Sequence, residues 1–324
     1  MPSVPDKAMH LKQITATRAK SWAKAFRPVA HALRWAAPFG LTGYLLYSLS
    51  RLGWAQVWAA RPAGVLFYAV LLLPFFVQPL TDLAIYRNLL PVGRLLPLTV
   101  LLRKRFLNNF MLDYSGEAHF FFWARDHLPV PQRGLLHAVK DSNILSGGAG
   151  LVTVWLVLLA LLSATRAGGG APLPALLTDN AWKLGSVAAL PLVLCVALIA
   201  LGRRVTSLTR RQIAATFLLH LARSLIALSL EFLLWRLSGA LPTTALCLQF
   251  VGLHLVVTRL PLAPRKDLLF VGLGMAAAGA MGTDSPAVAA VLILLTATEQ
   301  VLELGIVGVP WLMETRFGRF TRLQ

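Results

Sequence analysis

Long apolar runs, separated by loops whose Lys and Arg content alternates between dense and sparse, constrain this chain more than any other feature. Runs such as Leu151–Ala164, Leu184–Leu201 and Val288–Leu295, extended by small flanking residues, approach the roughly 20 residues needed to cross about 30 Å of hydrocarbon. With 57% hydrophobic residues over 324 positions and a mean hydropathy of +0.67, the chain is too apolar for a water-soluble domain. The fold class expected is all-α, a polytopic transmembrane helix bundle. About eight spans are expected, near 35–50, 63–86, 135–163, 182–202, 212–236, 243–260, 267–281 and 286–313. The spans at 35–50 and 267–281 are short for a crossing, which fits tilted, interfacial or re-entrant helices.

The distribution of basic residues orients these spans. Lys7, Lys12, Arg18, Lys20, Lys24, Arg27 and Arg34 precede the first, and Arg87, Arg94, Arg103, Lys104, Arg105, Arg125 and Arg133 follow the second. Arg203, Arg204, Arg210 and Arg211, then Arg259, Arg265 and Lys266, then Arg316, Arg319 and Arg322 fall on the same side of an eight-span arrangement. The other side collects only Arg51, Arg61, Arg166, Lys183 and Arg236. The positive-inside rule therefore puts both termini in the cytoplasm of a multi-pass protein, and a bacterial inner membrane is the expected location. A net charge of +18 is explained by those loops and by anionic headgroups. Nucleic acid is not an expected partner, because no basic face with interleaved aromatics is present.

Three regions follow from this pattern. Residues 1–34 are polar and basic, without the apolar core of a cleavable signal. Within them Trp22, Phe26, Val29 and Leu33 share a helix face, which fits an amphipathic helix on the cytoplasmic surface or a partly ordered tail. Residues 35–314 form the transmembrane domain, and 315–324 a basic cytoplasmic tail. Cys195 and Cys247 sit in apolar runs and read as small core residues.

The connection from Arg87 to Arg133 is too long and apolar for a simple loop. Its apolar pieces, Leu95–Leu102, Phe106–Leu112 and Ala118–Ala124, are each too short to cross. Two readings fit the segment at about 94–128: a re-entrant pair of short helices, with Gly116 permitting a tight turn and Glu117 and His119 facing a wet cavity, or an amphipathic helix at the interface. A second interruption occurs at Arg259–Asp267, where Pro261 and Pro264 break the helix. Interrupted hydrophobic segments in both halves of a membrane protein point to a transport site.

Ionisable residues within spans are costly and need a partner or a function. Asp82, Lys140, Asp141, Arg223, Glu231, Glu299 and Glu303 are in this position, with His220 and His254. Lys140 and Asp141 are adjacent and expected to point apart. Glu299 and Glu303, at i and i+4, share a face and suit a proton or cation site, a pairing with Arg223, or a structural salt bridge. Arg223 suits an anionic headgroup or a helix-pairing role. Glu117, His119, Asp141, Arg223, Arg259 and Lys266 are thus the candidate substrate-binding residues. Asp82, Glu231, Glu299 and Glu303 are candidates for coupling or counter-charge. No metal, cofactor or catalytic set is expected: the seven His are scattered, and no phosphate loop or serine elbow occurs. His137 and Asp141 share a helix face, without a nucleophile nearby.

Ser115-Gly116-Glu117 followed by Ala118–Arg125, Asp141 entering the third span, and Pro261-Leu262-Ala263-Pro264 together resemble the lysylphosphatidylglycerol-synthase transmembrane region family, also called flippase-like integral membrane proteins. The resemblance covers roughly 35–318. Arg265 and Lys266 replace the family's paired glycines, its following Glu is not retained, and Glu299 stands where a basic residue is expected. The resemblance implies movement or presentation of lipids, including aminoacylated phospholipids and polyprenyl-linked glycolipids; the partners expected of this chain are membrane lipids, anionic or polyprenyl-linked. The soluble aminoacyl-transferase domain of some members has no counterpart in this sequence, so aminoacyl-lipid synthesis is not implied. Three functions are consistent with the sequence. The first is a lipid or lipid-linked-intermediate transporter without an ATPase domain. The second is a membrane enzyme using His137, Asp141 or Glu117 as acid or base. The third is a non-catalytic subunit with partners in an envelope-biosynthesis complex.

Overall fold

The computed structural model describes residues 53–110, 114–166, 206–258 and 266–308, with the single positions Tyr47, Ser50 and Pro310. The amphipathic segment within 1–34, the span at 182–202, Cys195, Arg259, Pro261, Pro264 and the tail at 315–324 lie outside the described residues, as does the span at 35–50 but for Tyr47 and Ser50. Helices and turns account for the described residues, and no strand occurs among them.

The helices are α1 (Trp54–Ala59), α2 (Val65–Leu71), α3 (Leu73–Leu89), α4 (Leu98–Phe110), α5 (Ser115–His127), α6 (Gln132–Arg166), α7 (Arg210–Ser238), α8 (Thr244–Thr258), α9 (Lys266–Ala280) and α10 (Ser285–Leu302). A π-helical turn, Glu303–Gly308, extends α10. Four stretches are long and apolar enough to cross a membrane: Val65–Leu89, Gln132–Leu161, Arg210–Ser238 and Ser285–Gly308. They match the spans expected at 63–86, 135–163, 212–236 and 286–313 within a few residues. At 15 residues each, α8 and α9 are about 22 Å long, shorter than the hydrocarbon layer. The 35 residues of α6 reach about 50 Å, more than that layer needs.

Local chemistry marks several ends. Thr209 and Gln212 form a reciprocal capping box at the start of α7, and Gly239 closes it in the left-handed conformation (φ 68°). Asp284 accepts from the Ala287 N–H at the start of α10, where Pro286 needs no partner for its nitrogen.

Burial is inverted relative to a water-soluble domain. Leu73, Leu80, Leu159, Leu218, Ile226 and Val301 are exposed, whereas Asp82, Lys104, Arg105, Asp141, Glu231 and Glu303 are buried. Apolar side chains outward and charges inward suit a lipid solvent, and together with the four long helices they make this a multi-pass membrane protein. Two apolar centres hold the helices. One joins α2, α7, α8, α9 and α10 through Phe67, Trp235, Phe250, Phe270 and Leu292. The other joins α3, α4, α5 and α6 through Ile85, Tyr86, Leu101, Phe120 and Leu135, with the Tyr86 and Phe120 rings 4.1 Å apart.

The segment at 94–128 is a helical hairpin, α4 and α5, packed into the bundle. Two expectations change here. Gly116 is helical, in the first turn of α5, and the left-handed conformation falls instead on Tyr114, the residue that caps that helix, at φ 72°. What Gly116 allows is close approach. A Cβ there would overlap the Lys104 carbonyl oxygen, and its N–H donates to Asn108 Oδ1 at 2.7 Å. Second, Lys104 and Arg105 are not loop charges but interior residues of α4, 4% and 8% exposed.

Gly116→Ala should therefore lower stability by about 1–3 kcal/mol, because backbone must move. At Gly274 the added Cβ meets a flexible Leu292 methyl at 2.8 Å, so Gly274→Ala should cost less. Thermal unfolding of both variants in one detergent checks the order.

Candidate functional site

The charged interior is organised by α4, whose Lys104, Arg105, Asn108 and Asn109 fall at helical spacing on its inward side. Consecutive residues on a helix point about 100° apart, so Lys104 and Arg105 serve different neighbours. Lys104 Nζ lies 2.6 Å from Asp82 Oδ2 on α3 and 3.3 Å from Glu117 Oε1 on α5. Arg223 on α7 completes this group, with Nη1 3.2 Å from Asp82 Oδ1 and Nη2 3.0 Å from Ser146 Oγ on α6. Two cations face two carboxylates, so the group is formally neutral.

The second group gathers at the end of α10. Arg105 Nη2 donates to Glu299 Oε1, and its Nε lies 3.7 Å from Glu303 Oε1. Asn109 Nδ2 donates to Glu303 Oε1 at 2.6 Å and reaches Glu299 Oε1 at 3.3 Å. The guanidinium also stands over the Phe75 ring, 5.2 Å from its centroid. One cation is shared by two carboxylates. A third, smaller group pairs Glu231 Oε2 on α7 with His254 Nδ1 on α8 at 2.8 Å. The His254 ring stacks on Phe270 of α9, with centroids 4.1 Å apart.

Between these groups lies a cavity of about 510 Å³. Arg105, Asn108, Asn109, Arg223, Glu231, His254, Lys266, Asp267 and Glu299 supply its polar walls, and Leu71, Phe75, Leu228, Leu255 and Leu295 part of its apolar ones. Lys266 Nζ donates to the Thr258 carbonyl at 3.3 Å, which ties α9 to α8. Polar and apolar walls in one cavity suit an amphipathic ligand.

The sequence candidates divide as follows. Arg223, Lys266, Glu231 and Glu299 line the cavity. Asp82 and Glu303 stand one contact behind its wall, held by Arg223 and by Arg105 and Asn109. Glu117 and His119 are not among its lining residues; Glu117 instead binds Lys104. Asp141 is fully buried elsewhere and accepts from the Ser207 N–H (3.0 Å) and hydroxyl (3.1 Å), fixing the approach to α7. Its Oδ1 is 3.2 Å from Lys140 Nζ, so the two adjacent side chains meet rather than point apart. His137 is exposed while Asp141 is buried, so they form no acid/base pair. Arg223 pairs with Asp82, and Arg105, not Arg223, meets Glu299 and Glu303. Arg259 lies outside the described residues. Among the described residues no cluster of His, Cys, Asp and Glu is placed to hold a metal.

Lys104, Arg105, Asn108 and Asn109 are the site residues that reading the basic run as a loop hides. Their spacing was the available signal. No protein-family model matches the chain, and no curated protein or solved structure matches it either.

Asp82→Asn leaves buried Lys104 and half-buried Arg223 short of a partner and should cost about 3–5 kcal/mol. Adding Lys104→Met should recover part of that loss, since Arg223 keeps Ser146. Denaturant titration of the single and double variants measures both.

Proposed function

We propose that this chain is a lipid or lipid-linked-intermediate transporter of the bacterial inner membrane, flippase-like in its mode of action. The observation that carries this reading is the mixed lining of the cavity, ionic groups beside leucine and phenylalanine, in a protein that exposes large apolar side chains on its long helices. Headgroups of lipids need a polar path through hydrocarbon, and acyl or prenyl chains need an apolar exit. In this reading the chain has about eight spans with both termini cytoplasmic, and the α4–α5 hairpin is re-entrant. Each of its helices has 13 residues and is about 20 Å long, too short to cross. The resemblance to the flippase-like family is part of the same proposal.

An anionic headgroup enters by exchange. Arg105 is shared by two carboxylates, and the Glu299 side chain is the more exposed of them, at 30% against 7% for Glu303. A phosphate that displaces Glu299 gains a planar guanidinium, which binds phosphate through two parallel N–H donors. Arg223 and Lys266 add positive charge on the facing walls. Glu303 and Asn109 keep Arg105 oriented while Glu299 swings away.

Ala227 lines the cavity one turn from both Arg223 and Glu231 and makes no polar contact, so Ala227→Trp narrows the space without removing a charged group. Delipidated protein titrated with phosphatidylglycerol or a polyprenyl phosphate, followed by native mass spectrometry, should retain either lipid selectively over phosphatidylcholine. Ala227→Trp should weaken that retention at least about tenfold, equivalent to roughly 1.4 kcal/mol. Equal retention by both proteins would place lipid outside the cavity and favour a non-catalytic subunit.

A further inference from the structure

We infer that Glu231 and His254 form an exchangeable proton site, loaded from the cavity and available to couple movement of a ligand there to a proton gradient. The site itself stands on geometry alone; its use in coupling rests on the transport reading above.

Both residues line the cavity, so a proton reaches them from it. They come from different helices and meet at 2.8 Å through one carboxylate oxygen and Nδ1. Glu231 is 8% exposed, and its other oxygen, Oε1, is buried without a hydrogen-bond partner. An ionised carboxylate with one oxygen stranded in a low-dielectric interior is costly unless a neighbouring positive charge offsets it. One proton supplies that offset. Shared between Oε2 and Nδ1, it gives either imidazolium beside carboxylate or imidazole beside carboxylic acid, and both are neutral overall. Its release leaves a buried charge of −1.

Other charges surround the pair. Asp267 on α9 and Glu299 on α10 act electrostatically on the His254 ring, in addition to Glu231 on α7. Lys266 is the basic group at the same end of α9, tied to the Thr258 carbonyl. On α6, Val157 lies against Gly252 of α8. Across the cavity α4 presents Arg105, which is already shared by Glu299 and Glu303. Displacement of Glu299 by an anionic ligand changes the charge that His254 experiences. Ligand occupancy and proton occupancy are thus linked through one carboxylate.

The test is pH-difference infrared spectroscopy of the full chain in lipid nanodiscs, with ¹⁵N-labelled histidine resonances followed in parallel on the wild type. A carboxylic acid stretch that titrates together with one imidazole, absent in Glu231→Gln and displaced by about one pH unit or more in His254→Gln, supports the site. A spectrum unchanged in both variants overturns it. For coupling, fluorescent phosphatidylglycerol movement is followed in proteoliposomes with and without an imposed pH gradient. The ratio of the two rates should exceed one in the wild type and fall to one in both variants, whatever the absolute rates. A wild-type ratio of one, or an equal ratio in all three proteins, overturns coupling. If the wild type moves no lipid, the transport reading and the coupling role fail together, and the infrared titration still decides the proton site.

Discussion

A charge inside hydrocarbon must find its solvent in the protein, and this requirement fixes how the helices of this chain are arranged. Lys104 and Arg105 are the centre of that arrangement. Neither can be stabilised by its own short helix. Lys104 is held by α3 and α5, and Arg105 by the end of α10, so the hairpin is locked to helices nearly 200 residues further along the chain. Apolar packing fills the remaining space, but leucine against leucine has little orientational preference, and lipid competes for the same surfaces. Ion pairs between specific atoms supply the register that apolar contact lacks.

The cavity follows from the same constraint. Helices that carry polar side chains on their inner faces cannot close completely on one another, because each charge needs a particular partner at a particular distance. The residual space is lined by the groups that keep it open: Arg105 and Asn109 from one side, Arg223 and Glu231 from α7, and Lys266 and Asp267 at the start of α9. Glu231 and Arg223 lie eight residues apart, about 12 Å along α7, so one helix places a cation and a carboxylate at separate levels of the same wall.

Much of the helical framework was legible in the sequence, because span length and apolar composition are local properties. Val65–Leu89, Gln132–Leu161, Arg210–Ser238 and Ser285–Gly308 could be placed within a few residues for that reason. Membership of the charged interior was legible only in part. Asp82, Arg223, Glu231, Glu299 and Glu303 stood out because each interrupts an apolar run. Lys104 and Arg105 did not, since Arg103 beside them makes a basic triplet that orientation rules assign to a loop. Only the helical spacing of Lys104, Asn108 and Glu-binding Arg105 and Asn109 separates the inward pair from their neighbour. Partner choice was not legible at all: Asp82 with Lys104 and Arg223, or Arg105 with Glu299, depends on helix contacts across 22, 141 and 194 residues of chain. Gly116 shows the same limit, since a glycine near a turn suggests a turn, whereas its use here depends on a second helix lying against it.

The adjacency of Lys104 and Arg105 has a mechanical consequence. Two teeth on one shaft engage two different wheels: Lys104 meets α3 and α5, and Arg105 meets α10. Turning or sliding α4 to loosen one engagement displaces the other in the same stroke. The hairpin is therefore geared to both halves of the bundle at once, and a shift of α4 that opens the interior on one side strains the contacts on the other.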